Sequence, residues 1–393
     1  MPIVWVAILE QLNSESPPEI GGGFEYSGVE GGGIFQSSSH CNDKGFINMS
    51  PIVHAIDIGY RMTKFTVRVD GAQPTYRFFP SIAPLASDRD HSVGRGTQRN
   101  TVIVPVGNLQ YEVGPDAFLV SSTFPVRNFD DTFVKADEYL ALCRGALRYM
   151  RTDHIDLLVV GLPVSLHAYL RADLEARLKG DHALGRGETV HIARVVVLVQ
   201  PMGALLSYAL GDSQKRRILK QRNVVIDPGG RTFDWVLTHG LKSMPERSHS
   251  ANKGMVDVLE AIARSVGDQL KCQLTGHDLD NIDKALRTGG QPKFFGKSFD
   301  LSSHIDMGVK VVREAVTALR KDLQGGSDID NMILAGGGSF FFKSEIESAY
   351  PNHSILVPEN PLLANVQGFL LAGLELLASE RRRTSRPEPV SVG

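Results

Sequence analysis

The chain has 393 residues, room for two or three domains at roughly 150 residues each. Hydrophobic residues make up 42% and charged residues 22%, an ordinary globular balance that excludes a collagenous or wholly disordered chain. With 42 Lys plus Arg against 44 Asp plus Glu, the formal charge is −2, and no overall basic field argues for direct nucleic-acid binding. Cys41, Cys143 and Cys272 are widely spaced with no C-x-x-C pair, which points to a reducing cytoplasm rather than to zinc or a disulfide framework. The apolar runs over 155–166 and 194–210 are interrupted before the ~20 residues that a bilayer span needs. Pro2 to Leu9 has neither preceding basic residues nor a cleavage site, so a cytoplasmic protein without membrane attachment is expected.

Residues 1–48 carry two triple-glycine runs, the Pro17-Pro18 pair, six acidic residues and one Lys. Such a stretch buries too little apolar surface to offset its ordering entropy and is expected to be disordered. Met49 then opens a run that reads as a natural beginning, leaving a misplaced start and a genuine acidic tail as alternatives. Strands are expected over Ile52 to Asp57, Lys64 to Val69 and Thr75 to Phe79, followed by a polar loop from Ser87 to Asn100 and a hairpin around Val102 to Val113. A helix near Asp131 to Met150, a strand Ile155 to Val160, a helix Val164 to Lys179, a strand Val190 to Val199 and a helix Gly203 to Leu210 complete a first lobe, 49–215.

The pattern then restarts, with strands at Asn223 to Asp227 and Phe233 to Thr238. Helices at Lys253 to Cys272, Asp278 to Leu286 and Ile305 to Leu323 precede a strand Met332 to Ala335, a helix Phe340 to Ser348, a strand Ser354 to Val357 and a helix Pro361 to Leu377. These form a second lobe, 216–380, ahead of a solvated tail, 381–393. Ala55-Ile-Asp57-Ile-Gly59 and Val225-Ile-Asp227-Pro-Gly229 are matching openings, and each half ends by passing a strand through Pro into a helix rich in small residues. A duplicated α/β fold with a ligand between its two lobes is the inference.

Each half thus supplies a strand, an Asp-x-Gly turn and a second strand. Glycine leaves backbone N–H groups open to a phosphate, and two such turns face to face would clamp a polyphosphate. Asp57 and Asp227 would repel phosphate, so a hard divalent cation keeping its waters, Mg²⁺, is needed between them. The strand into Gly336-Gly337-Gly338 removes side chains where a purine and ribose could lie. Neither a Walker A sequence nor G-x-G-x-x-G occurs.

Asp57-Ile-Gly59, Gln200-Pro-Met-Gly-Ala204, Asp227-Pro-Gly-Gly-Arg-Thr232, Ala335-Gly-Gly-Gly338 and Asn365-Val-Gln-Gly368 stand in the order of the nucleotide-site motifs of the actin, sugar-kinase and heat-shock-chaperone ATPase superfamily. Within it the chain resembles the bacterial plasmid-segregation actins of the ParM/StbA type, most of all the protein D type of the PRTRC system. The resemblance implies an actin-like (RNase H-like) ATPase fold around a nucleotide cleft. It implies that Asp57 and Asp227 hold Mg²⁺ through water, and that Gln200 orients the attacking water. Gly59, Lys64, Gly229, Gly230 and Thr232 would bind the phosphates of ATP, and Gly336, Gly337 and Gly338 would line its adenosine. Filaments of the chain itself, a DNA-binding adaptor partner and no direct sequence-specific DNA or membrane binding belong to the same expectation. Three features depart from the pattern: Gln200 stands where many segregation actins carry a carboxylate, Arg231 enlarges the second turn, and Tyr60-Arg61 enlarges the first. The rival readings are a small-molecule kinase using Asp234 as base and a non-hydrolysing, nucleotide-bound adaptor.

Overall fold

The computed structural model describes residues 51–69, 73–87, 98–120, 132–210 and 213–384. The segment 1–48 expected to be disordered, most of the Ser87 to Asn100 loop and residues 385–393 of the expected tail lie outside them. The first half runs β1 (Val53–Ile58), β2 (Met62–Arg68), β3 (Thr75–Pro80), β4 (Val102–Val106), β5 (Leu109–Val113) and α1 (Asp137–Met150). It continues through β6 (His154–Ile155), β7 (Leu157–Leu162), α2 (Val164–Leu178), β8 (Gly180–Gly185), β9 (Glu188–Ile192), β10 (Val195–Val199) and α3 (Gln200–Leu210). The second half runs β11 (Arg222–Pro228), β12 (Phe233–His239), β13 (Lys242–Ser243), β14 (His249–Ala251), α4 (Met255–Leu270) and α5 (Gly276–Thr288). After β15 (Lys293–Phe294) and β16 (Lys297–Ser298) come α6 (Ile305–Leu323), β17 (Asn331–Leu334), α7 (Ser339–Ala349), β18 (Ile355–Leu356) and α8 (Ala364–Thr384).

The two main sheets share one plan. The first has the order β10-β7-β1-β2-β3 and the second β18-β17-β11-β12-β13, with β14 added beside β12. In each, the opening hairpin is antiparallel and the two later strands join it in parallel. The fold is therefore a mixed α/β duplication, as its repeated openings imply.

Because side chains alternate along a strand, β1 serves two cores. Ile56 and Ile58 enter a first-lobe core with Leu142, Leu158 and Val160, while Val53 and Ala55 face a second core shared between the sheets. β11 repeats this: Val224 and Ile226 enter a second-lobe core, and Val225 faces the shared one. Strands covered on both faces read as continuous apolar runs, which is why both were visible in the sequence.

The shared core is built on α3 and α8. A Cβ at Gly368 would lie 1.7 Å from the carbonyl oxygen of Gly203, and one at Gly203 would lie 2.5 Å from that of Asn365, so the helices cross with their backbones in contact. On the first-sheet side, Gly373 leaves room for Val53 and Val159. Residues 364–380, placed in the second lobe by sequence order, thus pack on α3 and the first sheet.

Several boundaries differ from expectation: α1 starts at Asp137 rather than near Asp131, α8 starts at Ala364 rather than Pro361, and the strand expected over Ile155 to Val160 is divided into β6 and β7. The strand expected over Val190 to Val199 is two, β9 and β10, and β9 pairs with the additional strand β8 through a turn at Gly185-Arg186-Gly187 whose φ angles are all positive. Helix α3 starts at Gln200 rather than Gly203, because Pro201 fits a first helical turn. Helix α8 continues through Arg381, Arg382 and Arg383 to Thr384, so the first residues of the expected tail are helical. Basic side chains at a helix C-terminus complement its dipole, and Glu380 pairs with Arg194 at 2.9 Å. Among the described residues, no helix is long and apolar enough to cross a membrane.

The crossing gives a direct test of the shared core. Gly368→Ala should destabilise the chain by about 1–3 kcal/mol in denaturant titration, because the added methyl meets backbone rather than a movable side chain. An unchanged midpoint would mean that the helices do not cross in contact.

Candidate functional site

Alternation places Asp57 on the same face of β1 as Val53 and Ala55, and Asp227 on the same face of β11 as Val225. Both carboxylates therefore sit at the open end of the shared core, and both are buried. The helix crossing completes each site in the same way. Gln200, in the first turn of α3, donates from Nε2 to Asp57 Oδ1 at 2.7 Å, and Asn365, in the first turn of α8, donates from Nδ2 to Asp227 Oδ2 at 2.7 Å.

The turns that follow are also alike. Gly59 N–H donates to the Met62 carbonyl at 3.1 Å, and Gly229 N–H donates to that of Thr232 at 2.8 Å. The first turn is braced by Ser81, whose Oγ donates to Gly59 O at 2.6 Å and whose N–H donates to Arg61 O at 2.9 Å. The second rests on the start of α4, where the N–H groups of Met255 and Val256 donate to the carbonyls of Gly229 and Gly230 at 3.0 and 2.8 Å. A Cβ at Gly230 would lie 3.2 Å from Arg61 N, so the two turns touch. Among the described residues, the N–H groups of Arg61, Gly230 and Arg231 make no hydrogen bond.

The symmetry breaks at the register partners. Opposite Asp57 stands Lys64, whose Nζ lies 2.7 Å from Asp57 Oδ2 with little exposure, so it is not a solvated strand lysine. Opposite Asp227 stands Asp234. Burial pushes the Asp227 carboxyl up to about 7; the Asn365 bond opposes the rise and the Asp234 charge adds to it. Asp234 is itself raised by burial, against hydrogen bonds from Ser250 and Thr232. It also accepts from the N–H of Val164, at the start of α2 in the other lobe, at 3.2 Å. Enclosed in this way, Asp234 is a bond between lobes and a poor candidate for a kinase base.

The glycine loop packs on the second turn. Gly336 has a φ of +81°, and a Cβ there would lie 2.0 Å from Asp227 Oδ1. Gly338 N–H donates to Pro228 O at 2.8 Å, and a Cβ there would meet Pro228 and Met255 at 2.8 Å. Close backbone packing thus accounts for Gly336 and Gly338, whereas a Cβ at Gly337 would meet only the end of the Leu362 side chain, at a tight 3.3 Å. Thr232 is buried on Asp234. Two of the bulky turn residues point away from the space between the lobes: Tyr60 stacks on Phe133 at 5.5 Å, and the Arg231 guanidinium lies 3.4 Å from Asp257 on α4. Asn365 was part of a recognised motif without an assigned role. The signal for it was the repeated spacing, an amide residue three positions before glycine in both Gln200-Pro-Met-Gly203 and Asn365-Val-Gln-Gly368.

The donor set suits a hydrated hard cation. Since the Asn365 NH₂ faces a carboxylate, its Oδ1 points elsewhere, and that atom is buried without a partner. Among the described residues, no cluster of three or more His, Cys, Asp or Glu forms a protein cage for a metal. Two carboxylates, an orphaned amide oxygen and open N–H groups instead match a cation held through water and phosphate.

Residues 55–203 match the family model described as actin like proteins N terminal domain, and residues 225–348 match that of the archaeal actin homologue MreB-like, C-terminal. Among solved structures, the chain is similar to a 15-stranded ParM filament from Clostridium botulinum, with 20% identity, a TM-score of 0.66 and coverage of 83% of this chain and 99% of the other. An archaeal actin homologue in complex with ADP has 22% identity and a TM-score of 0.64, covering 84% and 99%. A non-polymerisable quadruple mutant of pCBH ParM has 19% identity and a TM-score of 0.64, covering 82% and 99%. At these identities the likeness shows the fold. No curated protein matches the chain in sequence.

The elevated Asp227 carboxyl has a signed consequence. Between about pH 4 and 7 the folded chain keeps a proton that the unfolded chain has lost, so this group's contribution to stability falls as pH rises through that window and is constant above it. Asp227→Asn removes the penalty. Its melting temperature minus that of the parent should therefore grow from pH 4.5 to 7.5, by about 2 °C or more. A difference independent of pH would show that Asp227 titrates normally.

Proposed function

The chain is a protein of the actin-like family, and on that premise we propose that it binds Mg²⁺-ATP between its lobes, hydrolyses it slowly and forms nucleotide-dependent filaments. The observation that carries this reading is the paired geometry: two touching Asp-x-Gly turns with unbonded N–H groups, each aspartate held by an amide from one of two crossing helices. The ADP complex of the archaeal homologue and the ParM filament support nucleotide binding and self-association respectively. Segregation of a plasmid or mobile element through a DNA-binding adaptor, in a PRTRC-type system of the cytoplasm, is the biological setting we assign.

In this reading the N–H groups of Arg61, Gly230 and Arg231 take the phosphates, and Lys64 adds a positive charge beside them while neutralising Asp57. Bound Mg²⁺ would offset phosphate charge and bring Asp227 into its ionised form. Gln200 positions the nucleophile. Its NH₂ is committed to Asp57, so Oε1 is left as an acceptor, and a cavity of about 20 Å³ beside it, walled mostly by apolar residues such as Phe133, Leu162 and Leu166, has the volume of roughly one water. A neutral amide can aim a water at the terminal phosphorus without removing its proton, consistent with slow turnover.

Gln200→Ala should lower steady-state phosphate release tenfold or more, in order of magnitude, while nucleotide affinity changes little, since aiming water matters chiefly in the transition state. A variant that loses affinity but keeps turnover would make Gln200 a structural residue. Binding without phosphate release by the parent would favour the non-hydrolysing adaptor. For assembly, sedimentable polymer should rise on adding Mg²⁺ with a slowly hydrolysed ATP analogue and decline as ATP is consumed. Monomers throughout, together with phosphorylation of a small metabolite, would favour the kinase.

A further inference from the structure

Arg61 sits where the two lobes meet, but its charge is not spent on either turn. Its Cβ and Cγ lie 3.2 and 2.8 Å from the place a Cβ would occupy at Gly230, so the side chain passes directly over the second turn. The guanidinium ends on α5 of the other lobe, with Nη2 2.8 Å from Asp280 Oδ1 and 3.5 Å from Asp283 Oδ2. Asp283 is only 14% exposed and also accepts from Arg287 Nε, 3.1 Å from each of its oxygens. Arg287 in turn donates from Nη2 to the carbonyl of Gly337 at 2.8 Å and lies over the Phe340 ring at 4.4 Å. A continuous chain of groups thus runs from the first turn, across the second, to the glycine loop. It contains two arginines and two aspartates and is balanced only while Arg61 is in place.

We infer that Arg61 determines nucleotide exchange: with Asp280 and Asp283 it forms a clasp between the lobes, and a nucleotide enters or leaves only when that ion pair opens. The inference rests on the nucleotide reading of the cleft. Its physical basis is the contrast between the two ends of the lobe junction. At the shared core, backbone contact between α3 and α8 ties the lobes permanently, whereas at Arg61 the tie consists of charge-assisted bonds that can break and re-form without unfolding either lobe. Once Arg61 withdraws, α5 is left with two partly desolvated carboxylates against one arginine, a cost that resists opening. The closed arrangement is therefore favoured before any ligand arrives, and release is slow for the same reason.

The test uses the full chain, loaded with a fluorescent ADP analogue and chased with excess ATP. Arg61→Ala should speed both release and association by about tenfold, the size expected for losing hydrogen bonds between charged groups. Asp280→Asn with Asp283→Asn should have the same effect, and all three changes together should be no faster than either set, because both sets break one clasp. Exchange within twofold of the parent in the Arg61 variant, or a triple variant as fast as the product of the two effects, overturns the inference. Deuterium exchange of the nucleotide-free protein separates the two levels of argument. Faster exchange at Val164 and Ser165, whose N–H groups donate across the junction to Asp234 and Ser250, in both variants supports the clasp even if the parent binds no nucleotide, an outcome that would defeat the nucleotide reading alone. Unchanged exchange at those amides overturns the clasp.

Discussion

The contact between Gly203 and Gly368 governs the geometry of everything above it. Helix α3 begins directly after β10, and α8 follows β18 through residues 357–363, each strand being the outermost parallel strand of its sheet; only residues without side chains let the helices cross with backbone against backbone. That closeness carries the first turn of each helix to the strand end where an aspartate stands, and so brings Gln200 to Asp57 and Asn365 to Asp227. Larger residues at the crossing would move the two amides away from the two carboxylates together. Packing of the shared core and geometry of the site are one constraint.

Duplication supplies two equivalent half-sites, and a single register position makes them unequal. Lys64 faces Asp57, whereas Asp234 faces Asp227. The first carboxylate is compensated within its own lobe. The second is buried beside another acid and held only by an amide, which is why its proton is retained to a pH near neutrality. A cation arriving with phosphate, as proposed, would therefore offset more uncompensated charge in the second lobe than in the first. Asp234 is not idle in this arrangement, because its bond to Val164 N–H joins β12 to the opening of α2 across the junction.

Much of this was legible in the sequence because the relevant signals are local. Apolar runs covered on both faces, Asp-x-Gly turns and matched half-openings located both sheets and both aspartates. Strand β8 was missed because Gly180-Asp-His-Ala-Leu-Gly185 buries only His182 and Leu184 and is bounded by glycines, so it carries little β signal of its own. All three loop glycines suggested a ligand surface; what the sequence could not show is that Gly336 and Gly338 are also required by close packing on Asp227 and Pro228, a contact between segments about 110 residues apart in the chain. The directions of Arg61 and Arg231 were unreadable for a different reason. Each is a long side chain whose partner is set by tertiary folding, and Asp280 lies 219 residues from Arg61.

The distribution of polar and apolar contacts across the lobe junction sets what a ligand has to supply. A rotation about the shared core would leave the α3–α8 contact and its surrounding apolar side chains in place, so opening of that kind would not expose that surface. What it breaks is a short set of polar links: Arg61 with Asp280 and Asp283, Val164 with Asp234, and Ser165 with Ser250. Each such link contributes on the order of 1 kcal/mol net, more where a charge is desolvated. Their sum is comparable to the ~5.5 kcal/mol of differential affinity needed to carry a two-state equilibrium from 1:99 to 99:1. A nucleotide that bonds to both turns can therefore control lobe closure, whereas one that touched a single turn would bind without changing the shape of the protomer. With unbonded N–H groups on both turns rather than crowded on one, closure would be sensitive to such a ligand.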